Sequence, residues 1–238
     1  VNMFPLALLN ASSPPSPPPP PVDPNLVLLM PFSNTSGLND ISQYARTFNV
    51  VSAPVIETDV LSNHGFSARF TNDLINVPHE TPLELGNTDF TIEFFLRQTS
   101  LIENRGILGI RNATTNQSSF TVRTYTGNTI AFEYVNQAGT AIISSAVGTT
   151  PLLAGNRYHI AIVRQGTSLK TYINGILDIS HTIATPTFFN GSTAFGVGSF
   201  YSNSYTSGLP DANIDNLRIR TEAVYTGNFT PPTAPFTT

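Results

Sequence analysis

The residues best equipped for recognition chemistry lie late in the chain, in SFYSNSYTSGLP (199–210) and the Asp211 that follows. Tyrosine supplies rigid contact area at little conformational cost, and Ser, Asn and Gly supply adaptable hydrogen bonding. Carbohydrate suits this composition. Tyr201 and Tyr205 would stack on sugar faces, while Asn203 and Asp211 would meet hydroxyls. The same residues also describe a solvated loop whose aromatics pack back on the body. Asp211, Asn213, Asp215 and Glu222 fall on the spacing of a calcium loop. Asn216 stands where the sharp turn of that loop needs Gly, and residues 214–220 read as a strand that would carry Glu222 away. An EF-hand is therefore disfavoured. Asp211 and Asp215 are left as candidate calcium ligands, and no other cofactor is implied.

Catalytic patterns start and then break. His64, His79, His159 and His181 are scattered. His79-Glu80 opens like a zinc-protease motif, but no second His follows at the required spacing. Gly65-Phe66-Ser67-Ala68-Arg69 ends in Arg where a nucleophile elbow needs Gly. Gly196-Val197-Gly198 lacks the third glycine and the helix of a dinucleotide fingerprint.

The elements that must position these residues are strands. Phe90, Ile92, Phe94 and Leu96 alternate with Thr91, Glu93, Phe95 and Arg97, the period-2 mark of a half-buried strand. Tyr158, Ile160 and Ile162 repeat it, as do Leu169, Thr171 and Ile173. Asn174-Gly175 between two such runs predicts a type I′ hairpin, whose two central residues both need φ > 0. Gln165-Gly166-Thr167 and Thr126-Gly127-Asn128 predict two further turns. The alternation slips between Ile214 and Leu217, which predicts a bulge near Asp215–Asn216. No sustained 3.6-residue apolar period occurs, and 36–46 has room for one helical turn at most. Many short strands with Gly- and Asn-rich turns predict an all-β sandwich.

Composition narrows the partners. Charged residues make up 11% of the 238 and the formal net charge is -4, with no run of Lys or Arg, so nucleic acid is not an expected partner. Cysteine is absent, so no disulfide or thiolate site exists. No stretch reaches the roughly 20 apolar residues that span a bilayer. Residues 1–13 form an apolar arm, with Met3, Phe4, Leu6, Leu8 and Leu9 suited to docking in a groove on another protein. Residues 14–24 (PPSPPPPPVDP) form a polyproline II linker. Its run from Pro14 to Pro21 would extend about 25 Å as a stiff spacer. The remainder, 25–238, reads as the sandwich.

Several stretches of that remainder resemble a family. They are LVLLMPF (26–32), FSARF (66–70), DFTIEFFLR (89–97), RYHIAIVRQGTSLKTYING (157–175), DANIDNLRI (211–219) and YTGNFTPPTAPF (225–236). Together they resemble the laminin G-like, concanavalin A-like jelly rolls found in many bacteriophage structural proteins. The resemblance implies two packed antiparallel sheets with the first and last strands as neighbours. It departs at Arg157, where many relatives carry an aromatic residue, and at Ser33, where relatives often have Asp. The second change weakens any metal site built on the opening strand. Hydrolytic relatives use the strand motif E-x-D-x-x-E. Here Glu57 and Asp59 are followed by Ser62 in place of the last acid, which implies two exposed acids without a catalytic partner. The chain thus reads as non-enzymatic. The resemblance and the arm together predict a virion-surface structural protein, such as a capsid decoration, head fibre or tail appendage. Residues 1–24 would contact neighbouring virion proteins, and a trimer would suit such an appendage. The alternative is an adhesion module for host-surface glycan.

Overall fold

The computed structural model describes residues 22–112, 118–135, 142–183, 193–201, 203–204 and 206–238. The apolar arm with Met3, Phe4, Leu6, Leu8 and Leu9, and residues 14–21 of the linker, lie outside these, as does Tyr205. The described chain is built from strands: β1 (Leu26–Met30), β2 (Asn49–Ser52), β3 (Val55–Thr58), β4 (Phe66–Phe70), β5 (Leu74–Val77), β6 (Phe90–Gln98), β7 (Gly106–Arg111), β8 (Ser118–Tyr125), β9 (Thr129–Val135), β10 (Ile142–Val147), β11 (Arg157–Gln165), β12 (Ser168–Ile173), β13 (Ile176–Thr182), β14 (Phe195–Val197) and β15 (Ala212–Arg220). Two single 3-10 turns, Thr81–Leu83 and Thr126–Asn128, complete it. Residues 36–46 contain turns without a helix. Among the described residues no helix is long and apolar enough to cross a membrane.

Two antiparallel sheets pack face to face. Sheet A runs β13-β12-β11-β6-β15-β4-β3, with β1 also on β15, and sheet B runs β10-β9-β8-β7-β14-β5-β2. The first and last strands are neighbours, with Leu26 opposite Arg220 and Met30 opposite Leu217. The layer between the sheets is apolar. Phe90, Ile92, Phe94 and Leu96 of β6 meet Phe120, Val122 and Phe132 of β8 and β9 there. Burying side chains of this size contributes about 1.5–3 kcal/mol each before conformational entropy is charged against it.

The turn chemistry behaves as the residues require. Asn174 and Gly175 have φ of 50° and 77°, as a I′ hairpin demands. Gly166, at φ 58°, turns β11 into β12. The register of β15 on β6 shifts between Asp215 and Arg218, and Asn216 takes φ 48° there. This bulge has a topological role. On its other side, β15 pairs with β4 before the bulge (Ala212–Ile214) and with β1 after it (Leu217–Arg220).

One expectation needs correction. The alternate face of β6 is not exposed: Thr91 and Glu93 are 0% exposed and Phe95 is 4%. The cause is the segment after β15, which returns across the outer face of sheet A. Phe236 packs with Leu26, Leu29 and Phe95. Ala223, Tyr225 and Phe229 pack on Ala161, Val163 and Tyr172. At the end of this path Thr238 lines a small surface cavity together with Val22, Leu26 and Ile41.

Candidate functional site

The described residues of 199–210 sit on the outer face of sheet B, and two glycines of β7 put them there. Gly198, at φ 92°, turns the chain out of β14. Phe200 then lies against Gly106 and Gly109. A Cβ added to Gly106 would come within 2.0 Å of the Phe200 amide nitrogen, and one on Gly109 within 2.7 Å of its carbonyl oxygen. No other residue type allows so close an approach. The Gly106 N–H donates to Ser207 O at 2.7 Å, and Arg105 Nη1 donates to Thr206 O at 3.2 Å. Ser199 Oγ donates to Ser204 O at 2.9 Å and accepts from the Tyr201 N–H at 3.2 Å. The loop is therefore stapled to the sheet at several points.

On this staple stand the groups that sequence reading singled out, half-buried or exposed. Tyr201 and Phe200 have ring centroids 4.4 Å apart. The Arg111 guanidinium lies over both rings, 5.2 Å from the Tyr201 centroid and 5.7 Å from that of Phe200. Asn203 Nδ2 donates to Asn112 Oδ1 at 3.2 Å. Arg111 and Asn112 were not foreseen. Only the register of β7 beneath the loop could have named them. The arrangement offers an aromatic face, a cation and two amides on a fixed base.

Asp211 is not a member of this group. It stands at the head of β15 in sheet A, where Arg69 Nε donates to its Oδ1 at 2.9 Å. Asp215, 2% exposed, accepts from Arg157 Nη2 at 2.7 Å and from Asn216 Nδ2 at 2.9 Å, and lies 2.9 Å from His64 Nε2. Among the described residues no three His, Asp or Glu side chains converge as a metal cluster. Both aspartates are occupied by cations of the chain itself.

The acids of the broken E-x-D-x-x-E pattern are also engaged, and Asp59 is buried rather than exposed, at 5%. Ser67 Oγ donates to its Oδ2 at 2.9 Å, as does Arg97 Nη2 at 3.2 Å. Burial pushes this carboxyl up, but the Leu61 N–H, Ser67 and Arg97 outweigh it and hold the group below its usual range. Glu57 accepts from Asn213 Nδ2 at 2.7 Å. A carboxylate pinned as an anion is poorly suited to be the proton donor of glycoside cleavage.

Beneath the returning tail lies a polar cluster that sequence reading missed. Glu93 receives Arg218 Nε at 3.0 Å and the Tyr225 hydroxyl at 2.9 Å, and lies 3.1 Å from His159 Nε2. Burial pushes the Glu93 carboxyl up, but the bond to His159 and the charge of Arg218 outweigh it, leaving it below the glutamate range. Burial, with the Glu93 charge added, drives the Tyr225 hydroxyl well above its usual range. Tyr225 stacks on Phe229 with centroids 3.6 Å apart, and Arg218 lies 3.9 Å from the Phe236 centroid. This cluster fastens the tail.

Two packed antiparallel sheets with the first and last strands as neighbours define a jelly-roll β-sandwich. The chain belongs to the concanavalin A-like lectin/glucanases superfamily, matched by its laminin G family over residues 70–225. No curated protein matches the chain by sequence. Among solved structures, the binding domain of Paraclostridial Mosquitocidal Protein 1 aligns with a TM-score of 0.67 at 17% identity, over 84% of this chain and 50% of that one. Domain 4 of AbnA, a GH43 extracellular arabinanase from Geobacillus stearothermophilus, solved with arabinotriose, aligns at 0.62 and 18%, over 84% and 94%. The botulinum neurotoxin serotype C1 binding domain aligns at 0.63 and 16%, over 84% and 50%. The chain thus spans about half the length of the toxin binding domains it matches. At these identities the likeness is one of fold.

Proposed function

We propose that this chain is a non-catalytic carbohydrate-binding module whose glycan site is the platform of Phe200, Tyr201 and Asn203 with Arg111 and Asn112. The observation that carries the reading is the backbone of Phe200 seated on Gly106 and Gly109. That seat fixes an aromatic-amide surface in advance, so little ordering cost falls on binding. The domain of the arabinanase solved with arabinotriose has this fold, which supports the class of ligand. Tyr205 belongs to the same loop and is included as a second stacking candidate. The acids that could have argued for hydrolysis are tied up in ion pairs and hydrogen bonds. A glycan array probed with and without calcium tests the proposal. Saturable hits lost in Tyr201→Ala are expected, and an array empty under both conditions would remove it. The calcium arm also tests Asp211 and Asp215 as metal ligands.

A second reading is favoured by residues 1–24. An apolar arm followed by a stiff proline spacer suits attachment of the sandwich to a neighbouring protein, as in a virion appendage. Particles assembled with a chain lacking 1–24 should lose it. Full incorporation of that variant would sink the anchoring role.

A further inference from the structure

The consecutive strands β2 and β3 form the edges of the two sheets on one side of the sandwich, joined by Ala53 and Pro54. Among the described residues β3 pairs only with β4 and β2 only with β5. Neither strand contains Lys or Pro, residues that ordinarily guard an open edge. Val50, Val51 and Val55 are exposed by 42, 51 and 63%, and Val60 and Leu61 at the next hairpin tip by 90 and 49%. Apolar surface gathered in this way marks an interaction site.

The edge of β3 has a defined pattern of donors, acceptors and side chains. Asp59 donates its N–H to Gly65 O at 2.8 Å, continuing the ladder in which Glu57 faces Ser67 and Val55 faces Arg69. Backbone groups alternate sides along a strand, so those of Ile56 and Thr58 point away from β4. Side chains alternate between the faces. Glu57 accepts from Asn213 on the outer face, whereas Ile56 packs against the core.

We infer that this edge pairs with the same edge of a second copy, β3 antiparallel to β3 about a two-fold axis. Directly opposite residues of an antiparallel pair share a face, so joining outer face to outer face allows symmetric registers centred on Ile56 or on Glu57. Centring on Glu57 sets acid directly against acid, which is unfavourable. Centring on Ile56 lets its outward N–H and C=O bond reciprocally with their symmetry mates. It also sets Val55 of each copy beside Glu57 of the other. Arg69, exposed on the next strand of that row, gives each acid a cation across the seam. The same axis brings the Val60–Leu61 tip beside Val51 of the other copy, where β2 leads into β3. Because that axis stands perpendicular to the sheets, the outer faces of both copies of sheet B point the same way. On the glycan-binding function proposed above, the pair presents its platforms side by side and gains affinity through avidity. The pairing itself does not rest on that function.

The test is sedimentation equilibrium of the full chain over a dilution series. A dimer that dissociates on dilution is expected. Val55→Glu puts an acid beside Glu57 of the other copy, whereas Val55→Lys puts a cation there. Both changes fall at an exposed position and should leave the circular dichroism of the fold unchanged. The Lys variant should associate about tenfold more tightly than the Glu variant. A chain monomeric or trimeric throughout, or variants that associate equally, would overturn the pairing. Association lost only when residues 1–13 are removed would also overturn it and assign the contact to the arm. A glycan array that is empty while the dimer stands removes the binding function and leaves the pairing; glycan hits without a dimer do the reverse.

Discussion

The outer faces of the two sheets are both covered by the chain, but by opposite means. On sheet A the tail brings large side chains, and the charges beneath them are matched in place: Glu93 with Arg218 and His159, Asp215 with Arg157, Asp59 with Arg97. On sheet B the cover is a stretch of backbone laid on two glycines, and the side chains it carries stay half-buried or exposed. A face sealed by matched charge contributes to stability and has little left with which to bind. A face sealed by backbone holds its side chains ready for a ligand. Sheet B has a matched pair of its own, Arg123 with Glu133, but on β8 and β9 rather than on β7, so on the proposed function the tail-covered face of sheet A serves stability and the loop on β7 serves recognition.

That division can be broken most forcefully at Glu93. Glu93→Ala leaves Arg218 and His159 without their carboxylate under the tail, a change expected to cost about 3–5 kcal/mol in urea denaturation. Glycan binding per folded molecule should not change. The next largest effect is expected from Gly109→Val. Its side chain would collide with the Phe200 carbonyl, costing about 1–3 kcal/mol and lifting the loop, so that glycan affinity falls with stability. If affinity survived that change, the seat would not be what organises the platform.

The pH dependence separates the faces further, since Glu93 and His64, the carboxyl and imidazole shifted by their partners, both lie with sheet A. Glu93, held below its unfolded value, contributes stability above about pH 4.3 that is lost as pH falls through its lowered folded value. His64 is shifted the other way. Its hydrogen bond to Asp215 raises it against the effect of burial, so its contribution is complete below about pH 6.5 and is lost as pH rises through its raised value. His64→Gln should flatten that alkaline slope, read from melting temperature against pH. The smallest stability effect is expected at Tyr201. Tyr201→Ala should stay within about 0.5 kcal/mol of the parent while abolishing glycan binding.

Much of the frame could be read from the residues because it depends on local chemistry. Asn174-Gly175 specifies its turn, and the slip from Ile214 to Leu217 marks a bulge wherever the strand sits. The alternation along β6 also gave the inner face correctly. What it could not give was the fate of the outer face, which depends on a tail more than a hundred residues further along the chain. Glu93 looked like an ordinary solvent-facing acid because its partners, His159, Arg218 and Tyr225, come from three distant segments. The candidate site divides the same way. Tyr201 and Asn203 were visible as a composition, whereas Arg111 became relevant only once Gly106 and Gly109 brought the loop over β7. Asp211 looked like a neighbour because it is close in sequence, but the chain changes sheets between them.

The meeting of Val22 and Thr238 at one cavity has a mechanical consequence. Leu26, at the start of β1, is opposite Arg220, at the end of β15, so tension applied through residues 22 and 238 reaches the ladder from its shared open end. Antiparallel bonds loaded in that way break singly and in succession, like a zip, instead of resisting together in shear. Once the tail had peeled from sheet A, β1 would follow at low force, while the loop platform and its glycine seat, on the opposite sheet, would remain out of the line of load.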